Sequence, residues 1–344
     1  MGMIMKNELD PVFETLGLLC SCYQGEEIRV ETIKGLNEMG IDGEVFYQKH
    51  FKILERYEKY FKEHYIKTEN EEFFFKDKDQ DWIIILVASV IENKKWLQSL
   101  DGVTDDELRV TLMSVIVNDG DDCEELPRQN LPRITNELDI IEFLEPLDMD
   151  EGKKWHLLKF LHRPRYWMEY LLEAIRKNIP VYEKALASVD KPFQALMERY
   201  TARKDNRFDR MLQNFASQAV VYPSLAEPAI QLILYSHGYQ GLFLDLLPKR
   251  GKSTDAAKDA VIMKLKALSD RSKLDILCIL KESRKYNLEL AGTMKLSAST
   301  MSHHMNVLFS CGLVTIEKKN GKVYYCLEEE AVLELIGDLK QLLL

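Results

Sequence analysis

Hydrophobic positions along this chain repeat differently on the two sides of residue 250. Before it, Phe46, Phe51, Leu54, Tyr57, Phe61 and Tyr65 recur at helical spacing and predict an apolar stripe. Trp82 to Leu100 predicts a helix buried nearly all round at its start, and Trp155 to Lys177 one that Pro164 kinks or breaks. Between Ala219 and Leu247 the apolar runs shorten: Val220-Val221-Tyr222, Ile230 to Tyr235 and Leu242 to Leu246 are split by Pro223, Pro228 and Gly238. Runs of that length suit strands or short helices, and spacing alone does not decide.

After residue 255 the local signals agree with one another. A helix from Ala256 to Leu268 carries Val261, Leu265 and Leu268 on one stripe, and Ser269-Asp270 caps a second from Arg271 to Glu282. That second helix is apolar on almost every face, which places it in the middle of a small domain. Two short helices follow. Asn287 caps the first, whose Leu290, Ala291 and Met294 face inward, and Ser297 caps the second, which runs to Ser310 and stops at Gly312. Leu313 to Ile316 and Val323 to Leu327 then flank Asn320-Gly321, the strongest short hairpin signal, because both residues tolerate the positive φ of a type I′ turn. A last helix, Glu328 to Leu344, carries more apolar surface than so short a tail can bury, and pairing with a second subunit is the simplest account. The fold class expected is mainly α, with a helical N-terminal domain, with or without a few short strands, and a C-terminal winged helix-turn-helix.

Composition sharpens this division. At 344 residues the chain exceeds one ordinary core and predicts two domains, 1–250 and 256–344. The turn-prone stretch Pro248 to Asp255 separates them, no proline follows it, and 29 of the 33 aromatic residues precede Ala256. Apolar residues at 46% and charged residues at 30% suit a folded globular protein. The most apolar run, Trp82 to Ile91, is about half what a bilayer requires. Glu8 and Asp10 interrupt any signal sequence, and Lys6 stands where a myristoylation signal wants Ser or Thr. A cytoplasmic protein without a membrane partner is expected. Cys20, Cys22, Cys123, Cys278, Cys311 and Cys326 form no disulfide framework and read as free thiols, with neither metal nor cofactor expected. The acidic cluster Asp119 to Glu125 lacks the glycine spacing of a calcium loop and reads as solvated.

Charge is unevenly placed. The net charge is -10, yet from Ala256 onward 13 Lys and Arg face 11 Asp and Glu, a net of +2. The first 255 residues therefore carry -12. An acidic body joined to a mildly basic tail fits a DNA reader held on an unrelated domain.

The helix after Ser297 divides into two faces. Met301, Met305 and Leu308 point inward, while Ser299, Ser302, His303 and Asn306 lie on the other face with Ala298 beside them. Short or planar side chains that donate and accept hydrogen bonds are what a major-groove reader requires. The lysines at the hairpin tip, Lys318, Lys319 and Lys322 around Asn320, act as point charges for phosphates. No Lys or Arg lies between Lys295 and Lys318, so grip must come from Lys295, the hairpin, and Arg271 or Lys273. Modest, salt-sensitive affinity follows.

Ala267-Leu268-Ser269-Asp270-Arg271-Ser272-Lys273-Leu274-Asp275-Ile276-Leu277 resembles the opening of the arsenic-repressor (ArsR-type) winged-helix family. Leu296 to Leu308, with its Ser302-His303-His304 core, resembles that family's recognition helix, and Gly312-Leu313-Val314 leads into the wing as the family does. The resemblance covers the last quarter of the chain. It implies a homodimer on palindromic double-stranded operator DNA, usually repressing until an effector releases it. It also implies Ser299, Ser302 and His303 as base-reading residues, and Thr300 with the wing lysines on the backbone. Two departures count against a metal sensor: Asn287-Leu288-Glu289-Leu290 holds no Cys-x-Cys pair, and the last helix holds no His.

A regulator without a metal site in its reader needs another input. The first 250 residues are therefore expected to bind a small-molecule effector or to build the dimer. Trp155, His156, Phe160, His162, Arg163, Arg165, Tyr166, Trp167 and Tyr170 mix aromatic and cationic groups as a ligand pocket does, although an amphipathic helix with a basic rim is the simpler account of them. There is no Gly-rich phosphate loop, no G-x-S-x-G and no H-E-x-x-H, so no enzyme is expected. The alternatives are a winged helix serving as a protein–protein module, and an enzyme with a regulatory winged-helix tail.

Overall fold

The computed structural model describes residues 4–38, 41–76, 80–118, 131–147, 149–202, 208, 219–246, 254–296, 298–319 and 322–344. Cys123, the Asp119–Glu125 cluster and Pro248 to Ser253 of the expected boundary lie outside them.

Helices dominate the first 202 residues. The longest, α1 (Pro11–Glu38), packs on α2 (Gly43–His50), α3 (Lys52–His64), α4 (Glu72–Phe75), α5 (Gln80–Ile91) and the 25-residue α9 (Pro164–Ser188). Its neighbours leave little of its first half in water: Leu16, Leu18 and Leu19 point in different directions and are all buried. Against α9 lie α6 (Asp105–Asn118), α8 (Glu151–His162) and α10 (Asp190–Thr201), with α7 (Glu137–Leu144) packed on α8. The stripe from Phe46 to Phe61 is buried as expected but spans α2 and α3, which join at the fully buried Phe51. Pro164 breaks rather than kinks its segment, becoming the first residue of α9, where its missing N–H costs nothing. The helix expected from Trp82 to Leu100 ends early. It stops at Ile91, and a 3-10 turn follows at Lys94–Leu97, with Asn93 turned back to bond the Ser89 carbonyl.

The first two short apolar runs after Ala219 are strands, while Leu242 to Leu246 ends in a 3-10 turn at Leu244–Leu246. β2 (Val220–Ser224), β3 (Gln231–Leu234) and β4 (His237–Gly241) join β1 (Ile4–Met5) in a sheet of order β1-β2-β4-β3, with only β3 antiparallel. Tyr222, Tyr239 and His237 share the face toward the helices. There Tyr239 stacks on Phe13 with ring centroids 3.8 Å apart, and its hydroxyl donates to Asp10 at 2.8 Å. Lys94 donates to the same Asp10 oxygen at 2.6 Å while lying over the Tyr222 ring. His237 meets Glu92 at 2.9 Å.

A second anchor is the buried Glu14 of α1. One of its carboxylate oxygens accepts from the Ser224 hydroxyl and the Leu225 N–H, the other from the Tyr57 hydroxyl and the Ala226 N–H. Gly17 lies one turn on, where a Cβ would come within 2.9 Å of the Ala226 Cβ, so its lack of a side chain lets α1 approach this turn.

From residue 254 the chain forms a winged helix-turn-helix. Its elements are α11 (Thr254–Ser269), α12 (Arg271–Glu282), α13 (Asn287–Met294), α14 (Ala298–Ser310), the hairpin β5 (Val314–Lys319) and β6 (Lys322–Leu327), and α15 (Glu329–Leu343). In α11 the buried residues are Val261, Met263 and Ala267; Leu265 is exposed beside Ile262, because the stripe facing α12 is offset from the one expected. No helix of the described residues is long and apolar enough to cross a membrane. The five described cysteines are free thiols.

Candidate nucleic-acid interface

Helix α14 is held from behind by its own apolar side. Met301, Met305, Val307 and Leu308 are buried, and α14 packs on α12 and α13. Asp270 caps α12 by accepting from the Lys273 N–H at 3.0 Å. Lys295 ends α13 in the left-handed region at φ 55°, the sharp turn that sends α14 across α13. Gly312, at φ 70°, makes the corresponding turn into the wing.

On the opposite side Thr300, His303 and Asn306, three residues apart, are exposed along one face. Ser302 is placed differently from its expected role. It is half-buried at the seam with α13, where Asn287 Nδ2 donates to its Oγ at 3.1 Å. Asn287 was expected to cap α13; it is instead a buried bracket between the two helices of the motif. Ala298 and Ser299 open α14, while Ser297 lies outside the described residues.

The basic residues expected to grip phosphates stand on the neighbouring elements. Lys295 is exposed at the turn. Lys319 and Lys322 are cross-strand partners at the end of the hairpin ladder, beside Lys318; Asn320 and Gly321, the expected turn, lie outside the described residues. Arg271 is exposed at the start of α12. Lys273 is not available for phosphates. Its side chain is only 2% exposed and lies 3.5 Å from the Asp270 carboxylate, because α12 turns that face inward.

One cation escaped the sequence reasoning. Lys285 pairs with Tyr325 through both backbone hydrogen bonds and extends the wing by a third short strand. The preceding Arg284 thereby lies over the Tyr324 ring, 5.7 Å from its centroid. The signal was Arg284-Lys285 just before α13, which only non-local pairing brings to the wing.

The aromatic and cationic segment of the N-terminal region is split by the fold. Phe160 is core, His156 lies against Phe73, and Arg163 covers Tyr166. Arg165, Tyr166 and Tyr170 line one wall of a cleft of about 760 Å³ between α9 and residues 96–101. Arg165 is committed there to Asp105 and to the carbonyls of Leu100 and Val103. Among the described residues no group of three or more His, Cys, Asp or Glu side chains is placed to hold a metal ion.

Comparison with known proteins matches this arrangement to one family. Residues 270–315 fit the model of the bacterial regulatory proteins of the arsR family. Over 85 residues the chain is 35% identical to the transcriptional activator HlyU of Vibrio cholerae, covering 24% of this chain and 77% of that protein. It is 32% identical over 79 residues to the HTH-type transcriptional regulator CmtR of Mycobacterium tuberculosis, covering 23% and 67%. It is 33% identical over 72 residues to a cadmium resistance transcriptional regulatory protein CadC homolog of Staphylococcus aureus, covering 21% and 60%. No solved structure matches the chain. Through its C-terminal winged helix, the chain belongs to the arsR family of bacterial regulatory proteins.

Proposed function

We propose that this protein is a cytoplasmic DNA-binding transcriptional regulator that acts as a homodimeric repressor on a palindromic operator. Residues 256–344 are its reader and residues 1–250 a non-enzymatic sensing domain. The observation that carries this reading is the division of α14: Met301, Met305 and Leu308 buried, Thr300, His303 and Asn306 offered outward. Ser299, His303 and Asn306 are assigned to base edges, with Ala298 keeping the helix slim and Ser302 bracing it through Asn287. Ser297, Thr300, Lys295, Arg284, Lys318, Lys319, Asn320 and Lys322 are assigned to the sugar-phosphate backbone.

Dimerisation is supported by the outer faces of α11 and α15, which pack on each other. Leu333 is 67% exposed, Ile336 46% and Ile262 43%. Apolar side chains left exposed on two adjoining helices are what a self-complementary interface would cover. Leu333→Glu with Ile336→Glu is expected to give a monomer in sedimentation or light scattering; a dimer as stable as wild type would place the interface elsewhere. The effector is assigned to the cleft beside α9, where Tyr166 and Tyr170 stand with Arg176 and Lys177.

Selection from a random duplex pool tests the reading as a whole. The expected product is an inverted repeat with half-sites about 10 base pairs apart, the spacing that two symmetry-related reading helices impose. Enrichment of no sequence would overturn it.

A further inference from the structure

We propose that the contact between the N-terminal sheet and the winged helix is autoinhibitory, holding an acidic body against the elements that must approach DNA. This rests on the reading of α14 and the wing as the DNA-contacting surface.

The far face of the sheet carries the contact. Val221 of β2 and Ile233 of β3 both stand in register with Gly238 of β4, so the three form one row across the sheet, open in the middle where glycine has no side chain. Val221, Ala219 and Phe208 are buried in one apolar cluster with Ile316 of the wing, and Ile233, Phe309 and Tyr325 pack against it. Phe309 lies three residues after Asn306 on the reading helix. Ile316 and Tyr325 are cross-strand partners midway along the hairpin that carries Lys318, Lys319 and Lys322. The body therefore grips the two elements assigned to DNA, and no others by this cluster.

The grip is rigid on its other side. Glu14, Asp10 and Phe13 fasten the sheet to α1, and Lys94 and Glu92 fasten it to the chain around the end of α5. A displacement of those helices must therefore move the row that touches the reader, which makes the sheet a two-faced coupling between sensor and reader.

Charge gives the sign of the coupling. Residues 1–255 carry a net -12 and the reader only +2. The body packs on the wing itself, so those of its acidic groups that come within the Debye length of about 8 Å from a gripped phosphate oppose binding. Docking and DNA binding then disfavour each other. By reciprocity, whatever loosens the docking strengthens the binding by the same factor.

Val221→Thr with Ile233→Thr tests this in the full chain. Both changes keep the β-branched shape and leave the anchored face untouched, but they put hydroxyls into a dry cluster. Hydrogen exchange across residues 309–327 reports docking; titration with a duplex selected by the wild type reports affinity. Faster exchange together with about tenfold tighter binding is expected, a typical coupling between sites. Faster exchange with unchanged or weaker binding overturns the inhibitory sign, and unchanged exchange overturns the joint itself. Should the double variant fold poorly, Ile233→Thr alone, on the edge strand β3, is read by the same two measurements. Absence of binding by wild type and variant alike removes the DNA reading and the inhibition with it, while exchange still reports whether the sheet holds the wing.

Discussion

Replacing Lys318, Lys319 and Lys322 together by alanine is expected to weaken binding to the selected operator about 100-fold near 0.15 M salt. Each lysine that neutralises a phosphate releases counterions, and three such contacts contribute a slope of about -2.7 in log K against log salt. The same loss is expected on unrelated duplexes, because point charges on phosphates carry no sequence information. The hairpin supports a joint effect. Lys319 and Lys322 are paired across the ladder, and the Lys285 strand braces the hairpin through Tyr325. With no cation on α14 itself, few other groups share the load. Fluorescence anisotropy over a salt series checks both the affinity and the slope. A triple variant with an unchanged slope would take the wing off the DNA.

The second large effect is on stability and arises far from the reader. Glu14→Leu is expected to destabilise the fold by about 4 kcal/mol or more, measured by denaturant unfolding. It removes the shared acceptor of two backbone N–H groups and two hydroxyls in a buried site, each costing about 1–3 kcal/mol when left without a partner. Glu14→Gln is the subtler probe. Each carboxylate oxygen faces one backbone N–H, so the new amide NH2 opposes one of them whichever way it turns. Burial pushes the Glu14 carboxyl up to about 7, against the pull of its four donors. A carboxyl raised in the folded state favours folding below its unfolded value and loses that contribution as pH rises through 7. The stability gap between wild type and Glu14→Gln is therefore expected to narrow between pH 5.5 and pH 8. A gap that widens would mean that the donors, not burial, dominate the site.

The reader was legible because its signals are local. Asp270 caps α12, Gly312 takes the positive φ that ends α14, and the apolar spacing of Met301, Met305 and Leu308 is the face that is buried. What the sequence hid depends on partners far along the chain. Ile4 and Met5 become a strand only because Val220 and Val221 run beside them, and a two-residue strand has no periodicity to read. Glu14 looks like a solvated helix charge until the turn at Ser224 folds over it. Lys273 looked available for phosphate because composition says nothing about which way α12 is turned. Ser302 kept its place on the reading helix yet is held by Asn287, fifteen residues upstream, a pairing that spacing along one helix cannot reveal.

That sequence is read by the exposed face of α14 is tested most directly with His303→Ala, titrated against the selected inverted repeat and against a scrambled duplex of the same length. His303 is exposed on a face whose opposite side is core, so its removal leaves the fold intact. The expected result is a loss of at least about tenfold on the repeat, the cost of one specific base contact, with binding to the scrambled duplex unchanged. Equal binding by variant and wild type on both duplexes would contradict the account.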